Sequence, residues 1–230
     1  MYKNIKVIAF DADDTLWVNE TYFREAENEF AKLLSKYETK NKIDQELFKT
    51  EIRNLSSYGY GVKGFILSMV ECALELSNYQ IKQDIIEKIL NIGKEMLEKP
   101  IELLSGVGEV LQSLQGKYKL VVATKGDLLD QERKLEKSNL LKYFHHIEVM
   151  SDKKEKDYQK LIQHLEIHPS ELLMIGNSLK SDVLPLLKIG AAAIHVPFHT
   201  TWVHEKVSDD EASKLAYKTV LNIKDVIRLF

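Results

Sequence analysis

The sequence predicts an α/β protein with a doubly wound parallel sheet, into which an all-helical segment is inserted after the first strand. Three observations indicate this fold class. Short apolar runs alternate with helical patterns after Pro100, which is typical of a parallel sheet covered by helices on both faces. A similar apolar run lies near the N-terminus. Between these two regions the spacing of apolar residues is helical throughout.

The composition is that of an ordinary globular protein and excludes several other classes. The chain has 230 residues, of which 44% are hydrophobic and 29% are charged. These values exclude disordered, collagen-like and coiled-coil chains, and the length fits one large domain or a core with an insertion. The single cysteine, Cys72, excludes an internal disulfide and is expected to pack in a helical core.

The charge balance gives no sign of a nucleic-acid-binding protein. The 32 Lys and Arg residues face 35 Asp and Glu residues, for a formal net charge of −3, whereas nucleic-acid binders usually carry a basic excess. The N-terminus lacks a signal-peptide pattern, and no stretch reaches the roughly 20 apolar residues that span a bilayer. We therefore expect a cytoplasmic protein whose partners include neither nucleic acid nor membrane, and the oligomeric state stays open.

The first half of the chain contains one strand followed by helices. A nearly continuous apolar run at Ile5–Phe10 predicts a buried strand that ends at an acidic loop. From Glu20 to Glu98, apolar residues recur every three or four positions, which puts them on one face of each helix. Three glycines interrupt this pattern at 57–65, where the alternatives are a plain loop between helices and a loop that touches the substrate.

Strands return in the second half of the chain. Four apolar runs predict them at Lys119–Ala123, Ile147–Met150, Leu172–Ile175 and Ala192–Val196. Helical patterns lie between them, at roughly 105–115, 128–141, 157–166 and 180–189. Because the first strand belongs with these later strands, residues 1–17 and 99–230 are assigned to an α/β core, and residues 18–98 to a helical domain.

The residues at the carboxyl ends of the strands indicate the chemistry, because ligands of an open parallel sheet bind there. These ends carry several acids, a hydroxyl group and a lysine, namely Asp11, Asp13, Thr124, Lys153, Asn177 and Asp182. Clustered carboxylates need a cation, and oxygen ligands suit Mg²⁺. A carboxylate beside Mg²⁺ can attack phosphorus, and a second one two residues away can protonate a leaving alkoxide and later activate water.

The same residues resemble the signature motifs of the haloacid dehalogenase-like (HAD) superfamily of hydrolases. The run Asp11-Ala12-Asp13-Asp14-Thr15 resembles the DxDxT motif of that superfamily. Thr124 and Lys153 resemble the residues of its second and third motifs, and the stretch 174–182 is similar to its acidic fourth motif. All four motifs occur in the family's order, and the helical segment falls where C1-type caps are inserted, so the resemblance covers essentially the whole chain.

The resemblance implies a role for each of these residues. Asp11 would be the nucleophile that forms an aspartyl-phosphate, and Asp13 would be the general acid and base. Thr124 would hydrogen-bond a phosphoryl oxygen, and Lys153 would offset negative charge on Asp11 and the phosphate. The implied Mg²⁺ site consists of Asp11, the backbone carbonyl of Asp13, Asn177, and Asp182 either directly or through water.

Two positions depart from the family's pattern. Asn177 stands where the family usually has Asp, so the metal site loses one negative charge. Lys125 stands where Asn is common, which adds positive charge beside the expected phosphate site.

The resemblance implies a Mg²⁺-dependent phosphatase that acts on a small phosphorylated metabolite. Dehalogenases of the superfamily lack the second aspartate of the first motif, so the presence of Asp13 favours hydrolysis of a phosphate ester. A 2-haloacid dehalogenase and a non-catalytic protein that binds phosphate or regulates another protein are the alternatives, and the substrate's identity stays open.

Several of these residues have purely structural alternatives. The lysine of the site could be Lys154 or Lys156 instead of Lys153, since all three lie in one polar run. Asp182 could be an acid of the first turn of a helix, where the helix dipole favours negative charge. Asn177 could only form a turn.

Overall fold

The computed structural model describes residues 2, 4–213 and 216–230. The chain divides into two compact units. The α/β unit comprises Met1–Glu20, Ile101–Lys125 and Gln131–Phe230, and the helical unit comprises Thr21–Pro100 and Gly126–Asp130.

The α/β unit is built on a six-stranded sheet in which every pairing is parallel. Its strands are β1 (Val7–Phe10), β2 (Lys119–Lys125), β3 (His146–Met150), β4 (Leu172–Gly176), β5 (Ala192–His195) and β6 (Lys218–Thr219). The strand order is β3-β2-β1-β4-β5-β6, which places β1 at the centre between β2 and β4. The predicted doubly wound α/β sheet is therefore confirmed, with β6 as an additional short edge strand.

The two faces of the sheet carry separate hydrophobic clusters, because successive side chains of a strand point to opposite faces. In β1, Val7 and Ala9 belong to one cluster, and Ile8 and Phe10 belong to the other. All four side chains are buried. Burying a large apolar side chain completely contributes about 1.5–3 kcal/mol, so this short central strand is strongly fixed in position.

The helical unit contains four helices: α1 (Glu20–Leu33), α2 (Lys40–Tyr58), α3 (Val62–Leu76) and α4 (Gln83–Glu98). One hydrophobic cluster joins them and includes Cys72, which is buried as expected. The break between α2 and α3 is shorter than the predicted 57–65. Only residues 59–61 separate the two helices, and Gly59 and Gly61 have φ values of 71° and 102°, a region that favours glycine.

The described part of the chain after Pro100 contains five more α-helices. They are α5 (Val107–Leu114), α6 (Leu128–Lys137), α7 (Glu155–His164), α8 (Leu184–Lys188) and α9 (Asp209–Ala212). The region 180–189 was predicted as one helix, but it begins with a wide π-helical turn at Leu179–Val183. The Ser178 side chain accepts a hydrogen bond from the Ser181 amide in this turn, and Pro185 lies in the first turn of α8, where a missing N–H costs nothing.

Among the residues that the structure describes, no helix combines the length and apolar character needed to cross a membrane.

Candidate active site

The candidate site lies in the α/β unit, at the carboxyl ends of β1, β2 and β4. β1 is hydrogen-bonded to both neighbours, with Phe10 opposite Val122 on one side and Ile175 on the other. The amide of Asp11 continues this pairing by donating to the Ile175 carbonyl at 2.9 Å. The first polar residue after β1 is therefore held at the centre of the sheet edge.

Lys153 joins two of the predicted acids directly. Its Nζ donates to Asp11 Oδ1 at 2.5 Å and to Asp182 Oδ1 at 2.7 Å. All three residues are buried, with 3% of Lys153 and 1% of Asp182 exposed. Lys154 is different, since its ammonium is largely exposed and pairs with Asp152. Of these two neighbouring lysines, only Lys153 contacts Asp11.

Burial dominates the electrostatics of this triad. It raises the pKa of Asp11 to about 7, although the neighbouring Lys153 ammonium opposes the shift, and the Asp182 carboxylate adds to it. The pKa of Lys153 is raised, because attraction from the two carboxylates outweighs its own desolvation. One buried ammonium therefore compensates two buried carboxylates incompletely, and a further cation beside Asp11 would stabilise its ionised form.

Asp182 is fixed by hydrogen bonds to both of its carboxylate oxygens. Oδ1 accepts from Lys153, and Oδ2 accepts from the backbone N–H of Ser178 at 2.9 Å. The carboxylate lies so close to Gly176 that a Cβ atom at that position would overlap it. Glycine at position 176 thus gives Asp182 room to approach the strand end. Its contacts make Asp182 a partner of Lys153, and direct ligation of a metal by Asp182 stays a prediction.

Asp11 Oδ2 and Asn177 Oδ1 meet at the Thr15 hydroxyl. That hydroxyl donates to Asp11 Oδ2 at 3.1 Å, and Asn177 Oδ1 lies 3.5 Å from the same oxygen atom. Within the described ranges, no group of three or more His, Cys, Asp or Glu side chains is arranged to hold a metal ion. Mg²⁺ needs fewer carboxylates than this, because it is usually bound by one or two together with water and substrate phosphate. The side-chain oxygens of Asp11 and Asn177 lie close together, and the negative charge of Asp11 is only partly compensated by Lys153. These two features fit a Mg²⁺ ion.

The Asp13 carboxylate contacts residues that the sequence did not single out. It accepts hydrogen bonds from Trp17 Nε1 at 2.7 Å, Gln131 Nε2 at 2.7 Å and Lys134 Nζ at 3.0 Å. Gln131 and Lys134 lie one turn apart on α6, so a single helix face presents both. The distance of 121 residues between Asp13 and Lys134 explains why no local motif indicates this contact.

Thr124 lies near the end of β2, beside the loop that follows β1, and is 1% exposed. Its hydroxyl donates to the carbonyl of Lys125 at 3.3 Å. In the part of the chain that the structure describes, no side-chain hydrogen bond links Thr124 to Asp11, Lys153 or Asp182. Its predicted contact with a phosphoryl oxygen stays a prediction.

A second group of buried polar residues supports the turn that carries Asp182. Glu205 Oε1 accepts from Lys125 Nζ at 2.7 Å, and Glu205 Oε2 accepts from the hydroxyls of Ser178 and Ser181, each at 2.5 Å. Burial alone would raise the pKa of Glu205, but Lys125 and the two hydroxyls outweigh it and lower the pKa to about 2. The unusual Lys125 was visible in the sequence, whereas Glu205 ends a short 3-10 helix, Val203–Glu205, that no motif marks.

A family comparison identifies the group of proteins to which the chain is similar. A family model of haloacid dehalogenase-like hydrolases matches residues 5–190. No curated protein matches the chain.

Solved structures of similar fold include proteins of different activities. A haloacid dehalogenase-like family hydrolase from Xanthomonas campestris is 36% identical, with a TM-score of 0.86 over 98% of this chain and 94% of that chain. A protein from Haemophilus somnus described as a predicted phosphoglycolate phosphatase is 16% identical, with a TM-score of 0.66 over 98% of both chains. A 2-haloacid dehalogenase from Pseudomonas syringae is 17% identical, with a TM-score of 0.65 over 98% of this chain and 97% of that chain.

Proposed function

Because this chain belongs to the haloacid dehalogenase-like hydrolases, we propose that it is a Mg²⁺-dependent phosphatase acting on a small phosphorylated metabolite through an aspartyl-phosphate. The observation that carries this proposal is the second carboxylate, Asp13, two residues after Asp11 in the same loop. An alkoxide leaving group requires a proton from a general acid, whereas a halide leaves without one. The phosphatase activity is therefore the one that uses both carboxylates.

In the first step, the Asp11 carboxylate attacks phosphorus, and the bond between phosphorus and the leaving oxygen breaks. Asp13 gives a proton to that oxygen, so the product departs as a neutral alcohol. Lys153 holds Asp11 in position through Oδ1, and its charge offsets the negative charge that gathers on the phosphoryl oxygens. Thr124 is the hydroxyl donor proposed for one of these oxygens.

In the second step, water attacks the phosphorus of the aspartyl-phosphate while Asp13 takes one proton from it. The bond between phosphorus and Asp11 breaks, which restores the Asp11 carboxylate and releases inorganic phosphate. Asp13 is then protonated again and ready for the next leaving group. Two carboxylates thus complete the cycle with no net change in their proton content.

The oxygen atoms of Asp11 and Asn177 are the side-chain ligands proposed for Mg²⁺. When bound, the ion supplies positive charge that stabilises the ionised nucleophile and the transferring phosphoryl group. Asp182, whose two oxygens accept from Lys153 and from the Ser178 amide, is proposed to hold the ion either directly or through water.

One alternative is a 2-haloacid dehalogenase, for which Asn177 is relevant because it gives the site one acidic side chain fewer than the usual pattern of the family. Two of the structures of similar fold also bear that activity in their names. A dehalogenase would use Asp11 to displace halide from carbon without a metal. A non-catalytic phosphate-binding protein is the other alternative, and it would bind phosphate without turnover.

Release of phosphate from 4-nitrophenyl phosphate and from a panel of sugar phosphates, nucleotides and phospho-acids, measured with Mg²⁺ and with EDTA, tests the proposal. We expect turnover by the wild-type chain with Mg²⁺, and a loss of about 10³-fold or more in Asp11→Asn, because the nucleophile is removed. Activity that survives in Asp11→Asn or in EDTA would contradict the mechanism. Metal-independent release of chloride from a 2-chloro acid would support the dehalogenase instead.

A further inference from the structure

The Asp13 carboxylate accepts hydrogen bonds from three donors, which leave one of its acceptor positions unused among the described residues. Oδ1 accepts from both Trp17 Nε1 and Lys134 Nζ, and Oδ2 accepts from Gln131 Nε2. A carboxylate offers about four acceptor positions, two on each oxygen. Oδ1 accepts two hydrogen bonds and Oδ2 accepts one from the described residues, so the unused acceptor position is on Oδ2.

Gln131 is buried, and one of its two side-chain polar atoms has no hydrogen-bond partner among the described residues. It is 2% exposed, and its Nε2 is used twice, for Asp13 Oδ2 and for the Lys125 carbonyl at 3.0 Å. Its Oε1 is buried without a hydrogen-bond partner in the described structure. A buried polar atom without a partner disfavours folding, whereas the two hydrogen bonds of Nε2 favour it, and one of them fixes the orientation of Asp13.

Lys134, like Gln131, uses one nitrogen atom for two hydrogen bonds. Its Nζ contacts Asp13 Oδ1 and also Asn19 Oδ1, the latter at 2.8 Å. Its side chain is 15% exposed, so the ammonium lies in a partly desolvated setting where its contacts are stronger than at the surface. Two side chains from one helix thus hold both oxygens of Asp13.

We propose that Gln131 and Lys134 are positioning residues that turn the Asp13 carboxyl group so that Oδ2 exchanges the proton with the leaving oxygen and with the attacking water. This inference rests on the proposed phosphatase function. In the first step the Oδ2–H bond breaks as the leaving oxygen gains the proton, and in the second step water returns one proton to Oδ2. Gln131 and Lys134 donate hydrogen bonds throughout and undergo no net change.

The dependence of kcat/KM on the leaving group tests this role, because kcat/KM reports the first phosphoryl transfer. The variants are Gln131→Met, which keeps length and loses the hydrogen bond, Lys134→Met, which removes the charge, and Lys134→Arg, which restores it. The substrates are 4-nitrophenyl phosphate, whose leaving group needs little protonation, and phenyl phosphate, whose leaving group needs more.

We expect kcat/KM for phenyl phosphate to fall about tenfold in Gln131→Met and in Lys134→Met, as a fraction of the roughly 10²–10⁴-fold that general acid catalysis provides. The value for 4-nitrophenyl phosphate should change by no more than about threefold, since that leaving group depends little on Asp13. Lys134→Arg should recover most of the loss. Gln131→Met should leave the melting temperature nearly unchanged, because it removes an unpaired buried acceptor together with the hydrogen bonds to Asp13 and the Lys125 carbonyl.

Lys137→Met is the matched control, because Lys137 is an exposed lysine at the end of the same helix. This variant should leave kcat/KM for both substrates unchanged. Equal losses for the two substrates in Gln131→Met and Lys134→Met, or no loss at all, would overturn the positioning role while the wild-type activity still stands. If the wild-type chain hydrolyses neither ester, the proposed function fails, and this inference fails with it.

Discussion

At the residue scale, the Asp11–Lys153–Asp182 triad shows how a buried charge network depends on each of its members. The ammonium of Lys153 contacts both carboxylates, and Gly176 leaves the space that Asp182 occupies. Removing one partner of such a network leaves an uncompensated charge in a poorly solvated place, which costs more than the original pairing contributed. The site therefore requires the triad together with the glycine.

Asn177 provides a test of the proposed metal site. Asn177→Asp adds a second carboxylate close to the Thr15 hydroxyl that Asp11 also contacts, so Mg²⁺ should bind more tightly. We expect the Mg²⁺ concentration for half-saturation, measured by the rise in melting temperature, to fall about tenfold, equivalent to ~1.4 kcal/mol. Thr200→Asp, in the loop after β5, is the control for added negative charge. An unchanged half-saturation in Asn177→Asp would place the metal elsewhere.

Glu205 should make the stability of the protein depend on acid pH. Its folded-state pKa of about 2 lies below the ordinary glutamate value of 4.5, so its contribution to stability is fully present above pH 4.5 and is lost as pH falls toward 2. The depressed pKa corresponds to roughly 3 kcal/mol.

We therefore expect the difference in unfolding free energy between wild type and Glu205→Gln, measured by urea unfolding, to be constant above pH 5 and to shrink between pH 5 and pH 2. Glu211→Gln, on an exposed residue, should show no comparable change in this range. A difference between wild type and Glu205→Gln that does not vary with pH would contradict the ion pair with Lys125.

At the scale of elements, the packing of α3 against α4 depends on a close approach at Gly93. A Cβ atom at this position would overlap the side chain of Ile66 on α3. Ile66 belongs to the hydrophobic cluster of the helical unit and is 7% exposed, and Gly93 is buried. The helices approach closely because one of them carries no side chain at the contact.

Gly93→Ala should therefore lower the unfolding free energy by about 1–3 kcal/mol, as is typical of overpacking. Gly108→Ala on α5 is the matched control, because a Cβ there meets nothing within 4 Å. It should raise stability by about 0.5–1 kcal/mol, since alanine is the better helix former. Urea unfolding followed by circular dichroism compares the two, and equal effects would contradict the close approach of α3 and α4.

The central strands could be predicted from sequence because they are apolar without interruption. β1 and β4 are buried along their whole length, and such runs differ clearly from the periodic helices. β6 could not be predicted, since Lys218 and Thr219 are both exposed. The π-helical turn at Leu179–Val183 also escaped prediction, because it depends on side-chain bonds of Ser178 and Glu205 that only the folded sheet brings together.

At the scale of the whole molecule, the candidate site is assembled from distant parts of the chain. Lys153 and Asp11 are 142 residues apart, and Glu205 and Lys125 are 80 residues apart. The motif residues Asp11, Lys153 and Asp182 could be predicted because the carboxyl ends of parallel strands meet at one edge. Gln131, Lys134 and Glu205 could not, since each acts through a contact that no local pattern encodes.

The helical unit is a separate compact unit whose residues precede β2 in sequence, apart from the short segment Gly126–Asp130. Asp127 of that segment pairs with Lys63 at 2.8 Å, so the predicted 57–65 region uses its lysine in an ion pair. The residues proposed for binding and chemistry all belong to the α/β unit.

The proposed mechanism requires that Asp11 carries the phosphoryl group during turnover. Rapid acid quenching of wild-type chain with Mg²⁺ and 4-nitrophenyl phosphate, followed by mass spectrometry of the peptide that contains Asp11, tests it directly. We predict that this peptide gains the mass of one phosphoryl group on Asp11, and that the gain is absent in Asp11→Asn. Turnover without phosphorylation of Asp11, or a phosphoryl group on another residue, would contradict the claim.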